Sequence, residues 1–132
     1  MTWKRSILLV DDEKNILRTL RMVFEHEGHQ VSTAESSTQA LALLANNGHF
    51  DAVVTDLNME KADVGLDVAR AALQCRPKPA VVVCTGFASL QNSRAALEMG
   101  IDYMAQKPVE LPDLISALNR LIAKYRDSGE KG

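Results

Sequence analysis

The sequence predicts an α/β domain, a parallel sheet doubly wound with helices on both faces. Short aliphatic runs alternate strictly with stretches of helical period along the whole chain. Most of these runs are continuously apolar rather than alternating with polar residues, as strands buried on both faces require. Right-handed crossovers between parallel strands then place the helices on the two faces. The 132 residues, 46% of them hydrophobic, suit one domain with one substantial core.

The predicted strands are ILLV (7–10), a weaker QVSTA (30–34), AVVT (52–55), AVVVC (80–84) and IDYMA (101–105). Between the first two, Ile16, Leu17, Leu20, Val23 and Phe24 line one face of a helix that Gly28 ends. Ala40, Leu41, Leu43 and Leu44 line a second, capped near Ser36 or Ser37 and stopped by Asn46-Asn47-Gly48. Leu66, Val68, Ala69, Ala72 and Leu73 mark a third, ended before Pro77 and Pro79. Ala95, Ala96, Leu97 and Met99 mark a fourth, with Gly100 as its stop. The last carries Leu114, Ile115, Leu118, Leu121 and Ile122, with Pro112 in its opening turn. The domain is expected over residues 1–126, and the polar tail at 127–132 is expected to fray or begin a linker.

Composition excludes several functions. A net charge of −2 gives no positive field for nucleic acid or anionic membrane. No apolar run approaches the roughly 20 residues that span a bilayer, and MTWKRSILLVDDE lacks the shape of a signal peptide, so a cytoplasmic protein is expected. Cys75 and Cys84 have no metal-type spacing and read as core or near-core residues. His26, His29 and His49 have no acid or thiol at ligand spacing.

In parallel sheets of this kind, ligands bind beyond the carboxyl ends of the strands. Asp11 and Asp12 close the first strand, Asp56 the third and Thr85 the fourth, and Lys107 with Pro108 follows the fifth. Ala34, closing the second, offers no chemistry. Three neighbouring acids repel one another unless a cation intervenes. Magnesium, a hard ion held by one or two carboxylates with water and phosphate oxygens, fits that need. Lys107 supplies a compact positive charge and Thr85 a hydrogen bond, while Gly86 leaves room for an anion. Asp56 can then attack phosphorus as a carboxylate nucleophile.

ILLVDDE, VVTDLNM, VCTG and QKP, in this order and spacing, resemble the receiver domain of two-component response regulators over residues 6 to 125. The resemblance implies a flavodoxin-like (βα)5 fold with strand order 2-1-3-4-5 and Mg2+ (or Mn2+) as cofactor. It implies Asp56 as phosphoacceptor, Asp12 as direct metal ligand, Asp11 as a ligand mostly through water, and the Asn58 carbonyl completing the set. Thr85 would be the switch hydroxyl and Lys107 the phosphoryl contact, with a cis Lys107–Pro108 peptide. The implied partners are a sensor histidine kinase or phosphotransfer protein, an output domain or protein, and a second copy meeting the fourth helix, fifth strand and last helix. Such a domain catalyses its own phosphorylation and dephosphorylation without being a conventional enzyme. With no output domain in the chain, a single-domain regulator or a piece of a longer one is expected.

The sequence departs from that pattern twice. Met59 is followed by EKADVG, without the family's proline and one residue longer before Gly65. Met104 stands where the family's switch aromatic is usual, and Tyr103, one position earlier, should face the other way; either a small bulge realigns Tyr103 as the switch residue or, the favoured expectation, Met104 substitutes. The altered loop keeps open the alternative of an inert pseudo-receiver that only binds protein. A haloacid-dehalogenase-like phosphotransferase is disfavoured, because the acid pair comes first and position 58 is asparagine, not the second aspartate of a DxD motif.

Overall fold

A computed structural model of the chain describes residues 5–46, 49–57, 64–86 and 90–131. β1 (Ser6–Val10), β2 (Gln30–Ala34), β3 (Ala52–Asp56), β4 (Ala80–Thr85) and β5 (Tyr103–Gln106) form one parallel sheet in the order β2-β1-β3-β4-β5. They alternate with α1 (Lys14–His26), α2 (Ser37–Asn46), α3 (Val64–Leu73), α4 (Leu90–Met99) and α5 (Leu111–Lys131). This is the flavodoxin-like arrangement expected from the sequence. No helix among the described residues is long and apolar enough to cross a membrane.

The two-residue period of a strand divides the core. Ile7, Leu9, Val54, Val82 and Cys84 face α1 and α5, where Leu17, Leu20, Phe24, Leu114, Leu118 and Ile122 close over them. Leu8, Val10, Val53, Val81 and Val83 face the other way, under Ala40 of α2 and Val68, Ala69 and Ala72 of α3, with Met99 of α4 packed alongside. Phe24 and Leu118 are fully buried, each stabilising the fold by about 1.5–3 kcal/mol relative to exposure. Helix ends follow local chemistry. The Ser36 hydroxyl accepts from the Gln39 N–H at 3.2 Å to start α2. Gly28 and Gly100 take φ of 91° and 98°, the left-handed turn that lets a helix end.

Several expectations need correction. Leu41 and Leu97 are exposed at 39% and 60% rather than facing the core. The buried arc of α2 runs through Ala40, Leu43 and Leu44, and that of α4 through Ala96 and Met99. The residue after Ala40 or Ala96 is turned about 100° away from it. The fifth strand begins at Tyr103, not Ile101. Asp102 is taken up by the start of β4: its carboxylate accepts from the Val81 N–H at 2.8 Å, and its own N–H donates to the Val81 carbonyl at 2.9 Å. The same carboxylate meets Lys78 and the Tyr125 hydroxyl, tying α5 to the amino edge of the sheet. The last helix extends to Lys131. The peptides before Pro77 and Pro108 are cis.

Truncating Leu118 to alanine is expected to cost about 2–5 kcal/mol, whereas Leu97→Ala should stay within about 0.5 kcal/mol. Urea denaturation midpoints at constant m measure both, and equal losses would contradict the assignment of α4's buried arc.

Candidate functional site

The site is assembled where strands end. Past β1, the Asp11 N–H still pairs with the Ala34 carbonyl at 3.1 Å. Its Oδ1 accepts from the Glu13 N–H at 2.9 Å, turning the chain into α1. Asp11 is therefore a helix-start acceptor as well as a site carboxylate. Asp12 is exposed. Asp56, the last residue of β3, is buried in register with Cys84, and the next N–H, from Leu57, donates to the Cys84 carbonyl at 2.8 Å. The Thr85 carbonyl accepts from the Lys107 N–H at 2.8 Å, which swings Lys107 over the end of β4 toward the acids.

Lys107 Nζ lies 3.0 Å from Asp11 Oδ2 and 3.2 Å from Asp56 Oδ2. Burial alone pulls its pKa down, but the hydrogen bond and charge of Asp11, then Asp56, outweigh that and hold it above its usual value of 10.5. Oxygens of Asp11, Asp12 and Asp56 lie within 4.8 Å of one another. Among the described residues, these three carboxylates and the Lys107 ammonium carry a formal net −2 (−3 + 1). An all-oxygen donor set with that residual charge fits a hard divalent cation.

The Thr85 side chain is 2% exposed, and its Oγ1 has no hydrogen-bond partner among the described residues. A buried hydroxyl left unpaired costs roughly 1–3 kcal/mol. It is thus a donor held ready at the site. Gly86 is exposed; a Cβ there would sit 3.7 Å from the Lys107 Cβ, in ordinary contact with the lysine stem. β5 is regular, with Val82 opposite Tyr103 and Val83 opposite Met104. Tyr103 packs on the cluster beneath α1 and α5, so Met104 falls on the alternate face, the one Thr85 shares. Asn58 and residues 59–63 of the altered loop lie outside the described residues.

Two residues escaped the sequence reading of the site. Gly65, treated there only as a landmark, lies flat against the acceptor strand. A Cβ on it would stand 1.9 Å from the Asp56 carbonyl oxygen, and its N–H donates to the Leu57 carbonyl at 2.9 Å. A glycine one position into a helix that starts beside a strand end is the signal that could have shown it. Cys84, read as an ordinary core thiol, is buried next to the charged groups. Desolvation pushes its pKa to about 12, with Lys107 opposing and the two aspartates adding to the rise.

Comparison with known proteins agrees with this geometry. Residues 7–119 match the family model described as the response regulator receiver domain. The photosynthetic apparatus regulatory protein RegA of Rhodobacter capsulatus is 35% identical over 86% of this chain and 61% of its own length. The alginate biosynthesis transcriptional regulatory protein AlgB of Pseudomonas aeruginosa is 36% identical over 94% of this chain but 30% of its own. The chain thus spans under two thirds of these relatives. A CheY-like receiver domain protein from Methanospirillum hungatei superposes with a TM-score of 0.88 at 28% identity, covering 96% of this chain and 99% of that one. A receiver domain from Clostridium thermocellum gives 0.82 at 35% identity, covering 92% and 97%.

Three outcomes follow from the geometry. Gly65→Ala should destabilise the fold by about 1–3 kcal/mol, read from the urea midpoint, because a Cβ there meets backbone and not a movable side chain. Alkylation at neutral pH, mapped by peptide mass, should modify Cys75 well before Cys84, whose thiolate is scarce below about 12. The stability from Lys107 should be complete below pH 10.5 and be lost as pH rises through its higher folded value. Asp11→Asn should flatten that alkaline loss in a pH series of urea midpoints, and an unchanged slope would discount the ion pair.

Proposed function

The chain belongs to the response regulator receiver domain family, and on that premise we propose that it accepts a phosphoryl group on Asp56, with Mg2+, from the phosphohistidine of a sensor kinase or phosphotransfer protein in the cytoplasm. The observation that carries this reading is the Lys107 ammonium bridging Asp11 and Asp56 at 3.0 and 3.2 Å beside the unpaired Thr85 hydroxyl. A carboxylate nucleophile, a cation beside it and a donor waiting for oxygens are the parts phosphoryl transfer uses.

In the transfer, a carboxylate oxygen of Asp56 forms a bond to phosphorus as the phosphorus–imidazole nitrogen bond breaks, and the leaving imidazole takes up a proton. Asp11, Asp12 and Asp56, with the Asn58 carbonyl, would hold a magnesium ion, which would supply positive charge against the phosphoryl oxygens. Lys107 exchanges its contact with the Asp56 carboxylate for one with a phosphoryl oxygen. The Thr85 hydroxyl donates to another, gaining the partner it lacks at rest. Water hydrolyses the acyl phosphate and resets the site.

The regulatory step starts from Thr85. Drawing its hydroxyl inward makes room on the face it shares with Met104, and α4, β5 and the start of α5 shift toward a partner-binding population. Met104 takes the part an aromatic plays elsewhere in the family. Exposed Leu97 on α4 gives this surface an apolar contact for an output domain, an output protein or a second copy. RegA and AlgB are named as regulatory proteins and extend beyond the span matched here, which supports an output lying outside it.

Intact-mass spectrometry after incubation with acetyl phosphate and Mg2+ tests the acceptor. Wild type should gain one phosphoryl group and Asp56→Asn none. No gain together with no Mg2+ binding would favour an inert protein-binding module. Amide exchange across residues 86–115 should change on phosphorylation; no change there would remove the switch while leaving the transfer intact.

A further inference from the structure

Among the described residues, a cleft of about 640 Å³ runs between α1 and the start of α5 at the carboxyl end of the sheet. Ile16 and Leu20, one turn apart on α1, form one wall, and Val109 and Leu111 form the other. Val54 and Cys84, both buried, form the floor. Ile16, Val109 and Leu111 are half-buried, at the mouth. All six belong to the core beneath α1 and α5 or pack against it. The cleft is thus a part of that core which the two helices leave open.

Its volume lies in the range of small-molecule sites, roughly 300–1,000 Å³. Water against such walls finds few partners, and an apolar body displaces it favourably. The floor is uncharged at neutral pH, because burial pushes the Cys84 thiol up to about 12 and leaves a weakly polar S–H. Asn15 and Thr19, exposed and one turn apart on α1, line the cleft with neutral hydrogen-bonding groups. An ion drawn in among the aliphatic side chains would lose its hydration without a partner. We propose that the cleft binds small neutral aromatic compounds bearing one hydroxyl, with the ring and an alkyl substituent between α1 and α5 and the hydroxyl at Asn15 and Thr19. Such a ligand stops short of the charged end, which Asp11, Asp56 and Lys107 form. It bridges α1 to the segment that follows Lys107, and it shares the domain with a metal ion instead of competing with one. Its binding needs no phosphoacceptance by Asp56, so the failure of either reading leaves the other standing.

Amide NMR titrations of the whole chain with 4-alkylphenols, from methyl to butyl, test the site. Resonances of residues 15–20 and 109–111 should shift, and affinity should rise up to about fourfold per methylene. The 4-propylbenzoate ion, of similar body but charged, should bind about tenfold less tightly than 4-propylphenol. Saturating Mg2+ should leave the phenol's affinity within about twofold. Val109→Phe, which fills the cleft from one wall, should weaken binding about tenfold or more with the dispersion of the amide spectrum retained. Ile16→Gln, which sets an amide on the other wall, should weaken it several-fold. A flat chain-length series, equal binding of phenol and benzoate, shifts confined to other residues, displacement by Mg2+, undiminished binding to both variants, or no shift up to about 1 mM 4-butylphenol would each overturn the proposal.

Discussion

Asp11 and Asp56 stand at the ends of adjacent strands, and the Lys107 ammonium between them offsets a repulsion that the edge of an apolar sheet would otherwise magnify. The rest of the arrangement serves that contact. Pairing β1 with β3 brings the two carboxylates together, and Lys107 reaches them because its N–H is anchored to the Thr85 carbonyl across the end of β4. Burial works against the ammonium, yet the paired acids win, which is why its pKa rises instead of falling.

The compensation is incomplete, and that incompleteness suits the corner to bind something. Among the described residues one lysine faces three carboxylates, and the buried Thr85 hydroxyl has no hydrogen-bond partner. Both deficits lie within the same small region and ask for complementary things: positive charge, and an acceptor oxygen. A metal with a phosphoryl group supplies both together. The apolar cleft leading away from the same corner gives charge and greasy surface side by side, a combination that the bare acid cluster lacks.

Much of this was readable from residue order. Continuous aliphatic strands and periodic helices specify a doubly wound sheet, and such a sheet dictates which strand ends meet; Asp11, Asp12, Asp56, Thr85 and Lys107 follow from that topology alone. What escaped depends on angle and distance instead of type. Leu41 and Leu97 look like core residues in a list of apolar positions, but a helix turns them off the buried arc. The start of β5 was misplaced because Asp102 spends its carboxylate on the Val81 backbone, a pairing between segments far apart in sequence. Gly65 was invisible as a constraint because the 1.9 Å approach of its missing Cβ exists only once α3 lies against β3.

Leu57 is held at both of its backbone groups, its N–H by the Cys84 carbonyl and its carbonyl by the Gly65 N–H. The connection between β3 and α3 therefore leaves from, and returns to, a single fixed residue next to the acceptor. Such a clamp works like the knot at the base of a loop of cord: length can be added beyond it without transmitting tension to what lies before it. On the strand side of that knot, Asp56 keeps its register with Cys84. The acceptor's position is accordingly set by its own strand and by this clamp, whatever the length of chain between the two ends the clamp joins.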